Sequence, residues 1–114
     1  MNILADVKAI LDAEKIPNEV GVFNKEPAPA TYAVVVPLNE TLENADNNPV
    51  CEVQAARIAL YTKGNYRATA RAIAEGCLEA DMCISDRRYI EHEDDTGYHH
   101  YEIEIEKNYE WEEE

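Results

Sequence analysis

The residues best equipped for chemistry lie toward the end of the chain. His92, His99 and His100 stand among Glu91, Glu93, Asp94 and Asp95, and imidazole with carboxylate is a donor set for a divalent metal. Their spacing follows no known ligand pattern. Adjacent residues such as His99 and His100 point to opposite faces of a strand, so both reach one ion only across a bulge. A solvated polar hairpin accounts for the same residues. A small metal-dependent enzyme using His92, His99 and His100 is the remote alternative.

The three cysteines, Cys51, Cys77 and Cys83, are odd in number, lack a CxxC spacing and sit among apolar neighbours. That pattern predicts buried free thiols in a reducing compartment. No GxSxG surrounds a serine and no glycine loop could cradle a phosphate. Carboxylates are too abundant to nominate a general acid, with eleven between residues 91 and 114. No catalytic residue, cofactor-binding residue or metal ligand is therefore assigned, and the expectation is a protein without enzymatic activity or cofactor.

Charge excludes a further class. Across 114 residues, 24 Asp and Glu face 10 Lys and Arg, for a formal net charge of -14. A protein that holds nucleic acid by neutralising phosphates needs clustered bases, and this composition excludes it. The excess is concentrated: residues 91 to 114 carry eleven acids and one lysine, whereas the first 90 carry 13 acids and 9 bases. The basic groups Lys63, Arg67 and Arg71, with Arg87 and Arg88, either form an interface or neutralise acids of their own chain. No apolar stretch approaches membrane-spanning length, and Asp6, Lys8 and Asp12 interrupt any signal-like run at the start. A soluble, unexported chain is expected.

These side chains must be positioned by regular elements. Ile3, Leu4, Val7, Ile10 and Leu11 form one stripe of a 3.6-residue period behind Asn2 as N-cap, which predicts a helix over 3–14. Pro17 stops it, and the connection that follows has room for a short strand at 20–23. TYAVVVPL, residues 31–38, reads as a central strand. NETLENADNNPV, residues 39–50, is polar and Asn-rich and reads as a long loop. A strand over about 51–62 follows, with a parity switch at Ala55 and Ala56 that suggests a bulge. Asn65 then caps a helix over 66–79, and residues 81–89 form a weaker strand.

After a turn at Asp94 to Gly97, Tyr101, Ile103, Ile105, Tyr109 and Trp111 alternate with Glu102, Glu104, Glu106, Glu110 and Glu112. Only a half-buried strand uses that alternation well. The sum is one α+β domain over 1–114, a two-layer sandwich. Its expected form is an antiparallel four-stranded sheet with two helices on one face, in the order α-β-β-α-β-β.

The segment LYTKGNYRATARAIAE and the later ISDRRYIEHEDDTGYHHYEIEIEKNYEW, with the order and lengths of the elements around them, resemble the tail-terminator family of long-tailed bacteriophages and prophages. These are also called tail completion or tail-to-head joining proteins. The resemblance implies a structural role: a homo-oligomeric ring, a hexamer in this family, that caps the tail tube, stops its polymerisation and meets a head-completion or connector protein. DNA passes through the hole without specific binding, and no membrane is involved. Such a chain is made in the bacterial host cytoplasm and ends at the head-proximal end of the virion tail. A head-closure or other neck protein is the alternative within the same kind of particle.

On that reading three sets of residues become candidates. Lys63, Arg67 and Arg71 would form the subunit interface, facing acids of the last strand. Asn39, Glu40, Leu42, Asn44, Asp46 and Asn47 in the polar loop would touch the tail tube or a neighbour. Glu102, Glu104 and Glu106 would face the channel, where carboxylates repel passing phosphates.

Overall fold

The structure, a computed structural model, describes residues 2–111. Helix α1 (Ile3–Ala13) is capped by the Asn2 side chain, which accepts from the Ala5 amide, and it buries Ile3, Val7 and Leu11. Helix α2 (Tyr66–Glu79) begins in the same way, with Asn65 accepting from Ala68, and buries Ala70, Ile73, Ala74 and Cys77. Both helices start with a side-chain oxygen that satisfies one of the otherwise unpaired first-turn amides.

Five strands complete the fold: β1 (Asn18–Val20), β2 (Thr31–Ala45), β3 (Asn48–Thr62), β4 (Cys83–His92) and β5 (His99–Glu110). They lie side by side in the order β1-β2-β3-β5-β4. The expected four-stranded antiparallel sheet is thus corrected to a five-stranded mixed one. The extra strand is Asn18–Val20, which pairs parallel with Ala33–Val35. It starts two residues before the expected 20–23 segment and ends at Val20, where Gly21 turns the chain at a φ of 84° and Phe23 leaves the sheet edge to stack on Tyr32. The first apolar strand is therefore second from the edge, and β3 is central.

The polar stretch 39–50 is not a loop. Strands β2 and β3 continue through it as an antiparallel hairpin closed by Asp46 and Asn47 between the paired Ala45 and Asn48. Both turn residues have positive φ, 51° and 66°. This is the left-handed pair that a two-residue hairpin with the right twist requires, and Asp and Asn tolerate it better than other non-glycine residues. The hairpin forms an arm that helps to stretch the molecule to 54 × 24 × 22 Å.

The expected bulge at Ala55 and Ala56 is also displaced. Strand β3 runs in unbroken register with β5 from Cys51 to Thr62, and its pairing with β2 is irregular elsewhere, at Leu38 of β2 between Pro37 and Asn39 and at Val50 of β3 opposite Glu43 and Asn44. Apolar residues occur at both parities of β3 because Ala56, Ile58 and Leu60 face the helices while Val53, Ala55 and Ala59 face the other way.

The core is the seam between the helices and one sheet face. Val7 and Leu11 of α1, Ile73 and Cys77 of α2, and Val35, Ile58, Leu60, Ile103 and Ile105 of the sheet meet there, all at most 1% exposed. Burying each such aliphatic side chain contributes about 1.5–3 kcal/mol. Of the three thiols only Cys77 is buried; Cys51 is half-buried and Cys83 exposed. Cys83 lies on β4, an edge strand whose outer face nothing covers, so apolar sequence neighbours did not bring burial.

Candidate functional surfaces

With both helices on one side, the opposite sheet face is bare. Its centre is an ion-pair lattice. Arg57 of β3 lies with Nε 3.7 Å from Glu102 and Nη2 3.4 Å from Glu104. Arg88 of β4 reaches the same two carboxylates at 3.0 and 3.3 Å and also pairs with Asp86. The cross-strand register dictates this, since Glu104 stands opposite both Arg57 and Asp86, and Glu102 opposite Arg88. Two guanidiniums among three carboxylates leave that patch with little net charge. The Glu ladder therefore lies away from the helices, but Glu102 and Glu104 are engaged within the chain, and Glu106 lies beyond them opposite Ala55 and Cys83. Glu112 lies outside the described residues.

At one end the same face carries a line of stacked rings. Phe23, Tyr32, Tyr61 and His100 stack in sequence with centroids 4.5, 5.0 and 4.3 Å apart. Tyr98 meets Tyr32 and Tyr61 edge-on and donates its hydroxyl to the Pro29 carbonyl at 2.6 Å. Edge-to-face and offset contacts of this kind add about 0.5–1.5 kcal/mol per pair beyond burial. They pin the proline-containing connection between β1 and β2 to the sheet. Burial and the nearby acids raise the hydroxyl pKa of Tyr61 and, with Tyr61 and Tyr98 beside it, that of Tyr32.

The histidines do not converge. His99 lies on the helix side, 4.8 Å from His92 between ring centroids, whereas His100 is on the bare face against Tyr61. Among the described residues no group of three His, Cys, Asp or Glu side chains could hold a metal ion. His92 instead pairs with Asp94 at 3.1 Å, and His99 Nδ1 lies 2.9 Å from the Tyr89 hydroxyl.

The basic candidates divide as well. Lys63 sits over the Tyr98 ring at 4.8 Å. Arg67 and Arg71 instead line a groove of about 490 Å³ between α2 and β4, with Arg87, Tyr66, Tyr89 and Tyr101. Arg71 spends its charge on Glu75, one helical turn away at 3.1 Å. Arg67 and Arg87 have no carboxylate partner among the described residues, although the chain carries 24 acids. Arg87 and Arg88, adjacent in sequence, thus do opposite things: Arg88 neutralises its own chain and Arg87 faces the groove. Strand alternation is the signal that separates them. Arg57, Tyr66 and Tyr89 are not marked in the sequence and Tyr101 is marked only as an apolar position of the last strand, since nothing local announces a pairing across some 45 residues.

The six polar-stretch residues lie on the arm and are exposed. Two faces divide them. Asn39, opposite Ala55, lies on the bare side, while Glu40, opposite Gln54, and Leu42, opposite Glu52, lie on the side of the helices. Gln54 marks that side, because its Oε1 accepts from the Ile3 amide at the start of α1. Asn44, Asp46 and Asn47 form the tip.

The fold defines a class: a two-layer α+β domain with one bare sheet face and a projecting β-hairpin. No family model and no curated protein matches the sequence. Among solved structures, the fold is similar to that of a chain from the virion of a native gene transfer agent particle, at 14% identity over 95% of this chain and 91% of that one, with a TM-score of 0.51. No helix among the described residues is long and apolar enough to cross a membrane.

Proposed function

We propose that the protein is a structural component of a phage or phage-like virion, and within it a tail terminator. The observation that carries this reading is a fold shared over nearly its whole length with a chain of a gene transfer agent virion. The tail-terminator resemblance of the α2, β4 and β5 segments narrows it. The protein has no catalytic role on this reading: it works as a ring at the head-proximal end of the tail, between the tail tube protein and a head-completion protein, with DNA passing through.

A ring is built by a heterologous contact, in which two different patches of each subunit must match. The uncovered sheet face and the arm are the surfaces available for docking onto the tube, the connector or a neighbour. A channel-facing Glu102, Glu104 and Glu106 ladder would present fewer free charges than its composition suggests, since Arg57 and Arg88 hold two of the three.

Electron microscopy of particles made without this protein tests the reading. Overlong or headless tails are expected. Tails of normal length on unfilled or leaking heads would replace termination with head closure.

A further inference from the structure

We infer that the groove between α2 and β4 is the socket for the β2–β3 arm of a second copy of this chain. The inference deepens the ring reading and rests on it only for closure of the ring. The contact itself is argued from charge, apolar surface and distance.

The groove is basic and aromatic in an acidic molecule. Arg67 and Arg87 are arginines without a carboxylate partner among the described residues, and both line it beside Tyr66, Tyr89 and Tyr101. Tyr66 lies 4.9 Å from Tyr89 and 6.0 Å from Tyr101 between ring centroids, so three neighbouring tyrosine rings form the floor. Arginine and tyrosine together are the residue types that most often anchor protein interfaces.

The arm carries the complement. On its helix-side face Glu40 and Glu52 flank Leu42, which remains 43% exposed, and Val50, which the β2–β3 register skips nearer the tip, is 51% exposed. The start of α1 reaches the sheet only as far as Gln54, which accepts from the Ile3 amide, so Leu42 beside the two acids and Val50 nearer the tip are left uncovered. An acid–apolar ribbon laid on a Tyr floor between Arg67 and Arg87 joins opposite charges and removes apolar surface from water together.

The two surfaces of one molecule cannot meet. The groove sits at the level of Tyr101, which pairs with Leu60, whereas the arm face lies near Val50 of the same strand. Ten residues of extended chain separate them, about 33 Å. The contact is therefore between copies and head-to-tail, which builds a ring where it closes.

The experiment uses two full-length variants, a groove variant (Arg67→Glu with Arg87→Glu) and an arm variant (Glu40→Arg with Glu52→Arg). Arg67, Arg87 and Glu40 are exposed, and Glu52 is half-buried and accepts from Gln54 Nε2 at 2.5 Å, so circular dichroism checks that both variants fold. Sedimentation over a wide concentration range, with native mass spectrometry, should show self-association of the wild type and loss of it in each variant alone. An equimolar mixture should assemble again as an alternating oligomer, because each acidic arm then meets a basic groove and each basic arm an acidic groove. A wild type that stays monomeric at millimolar concentration, a variant that assembles as well as wild type, or a mixture that does not recover would each overturn the inference. Tail length in particles lacking the protein decides the terminator reading separately, so the two can fail independently.

Discussion

A methyl group placed on Gly76 would stand 2.7 Å from Cγ2 of Ile10, closer than carbon atoms can approach. The two helices thus touch at a point where α2 has no side chain. Glycine inside a helix costs about 1 kcal/mol relative to alanine, so the residue is retained against its own propensity. Ile10 is β-branched and has few rotamers with which to yield. Overpacking costs about 1–3 kcal/mol, so Gly76→Ala should be net destabilising in the wild type. In an Ile10→Ala background the same change should stabilise by about 1 kcal/mol, the propensity gain alone. Urea unfolding of the four-member cycle measures the coupling, and equal effects in both backgrounds would refute the contact.

The last strand is fastened to the first helix through Tyr109. Its hydroxyl donates to Asp6 Oδ2 at 2.6 Å, and Lys107 Nζ lies 3.4 Å from the same oxygen. Burial, then the bond to Asp6, raises the Tyr109 hydroxyl well above its ordinary range. It therefore stays a donor throughout physiological pH. A hydrogen bond to a charged group contributes about 1.5–3 kcal/mol, and partial exposure places Tyr109→Phe at the lower end. The midpoint of urea unfolding should fall with an unchanged slope. Hydrogen exchange should quicken at the C-terminal end of β5 before it does elsewhere.

The three thiols should differ in reactivity. Cys83 is exposed and should react first with a thiol reagent. Cys51 donates to Glu43 at 3.1 Å, and that bond raises its pKa and slows it. Cys77 is fully buried, and burial pushes its thiol from 9.0 up to about 11. As pH rises past the lower value, the unfolded chain loses this proton while the folded chain keeps it, so stability falls across that window. The contribution is complete below the lower value. With about 1.4 kcal/mol per unit, up to ~3 kcal/mol is lost by the upper one. Tyrosine ionisation acts in the same direction, so the comparison is with Cys77→Ala, which should lose less stability over the same alkaline range. Parallel losses in the two proteins would show that the thiol plays no part.

Where one residue period sufficed, the sequence was legible. The stripe from Ile3 to Leu11 located α1, the Asn65 cap and the Ile73 to Cys77 stripe located α2, and the alternation of Ile103 and Ile105 with glutamates located β5. The arm was not legible, because both its faces are exposed and its polar residues carry no alternation to read. Only the Asp46 and Asn47 pair signals the turn. The parallel strand Asn18–Val20 is three residues long and held by its pairing to β2, a tertiary contact that no local pattern announces. The basic groups were found but not sorted, since Lys63, Arg67 and Arg71 are neighbours in sequence that the fold sends to different surfaces.

The Asp46–Asn47 turn offers a direct check on the arm. Both residues sit at positive φ, where glycine is free of the Cβ penalty and type I′ turns favour Asn-Gly. Replacing the pair by Asn-Gly should stabilise the hairpin, by something under about 1 kcal/mol. Proline at position 47, with φ fixed near -65°, should break it. Amide exchange across Leu42 and Val53 reports the arm, while melting of the whole domain should move little. A loop without strand pairing would show no difference between the two variants.

Arg57 tests whether the bare face is held together by charge. Its side chain is 31% exposed, and those of Glu102 and Glu104 are 13% and 21% exposed. These groups are neither fully solvated nor fully buried. Removing one partner of a buried pair costs about 3–5 kcal/mol because the other is left uncompensated. An exposed pair is worth at most about 1 kcal/mol. Arg57→Ala should fall between, at about 1–3 kcal/mol, with Arg88 left to hold both carboxylates. Part of that loss is packing of the arginine stem on the sheet face, where Arg57 stands opposite Val36 of the neighbouring strand. Adding Glu102→Gln and Glu104→Gln to Arg57→Ala separates the two, since the amides remove the stranded charge and restore none of the packing. Recovery of most of the loss assigns it to electrostatics, and added salt should then narrow the gap between Arg57→Ala and wild type. No recovery would assign the loss to the stem and leave the ion pairs as an exposed lattice of little energetic consequence.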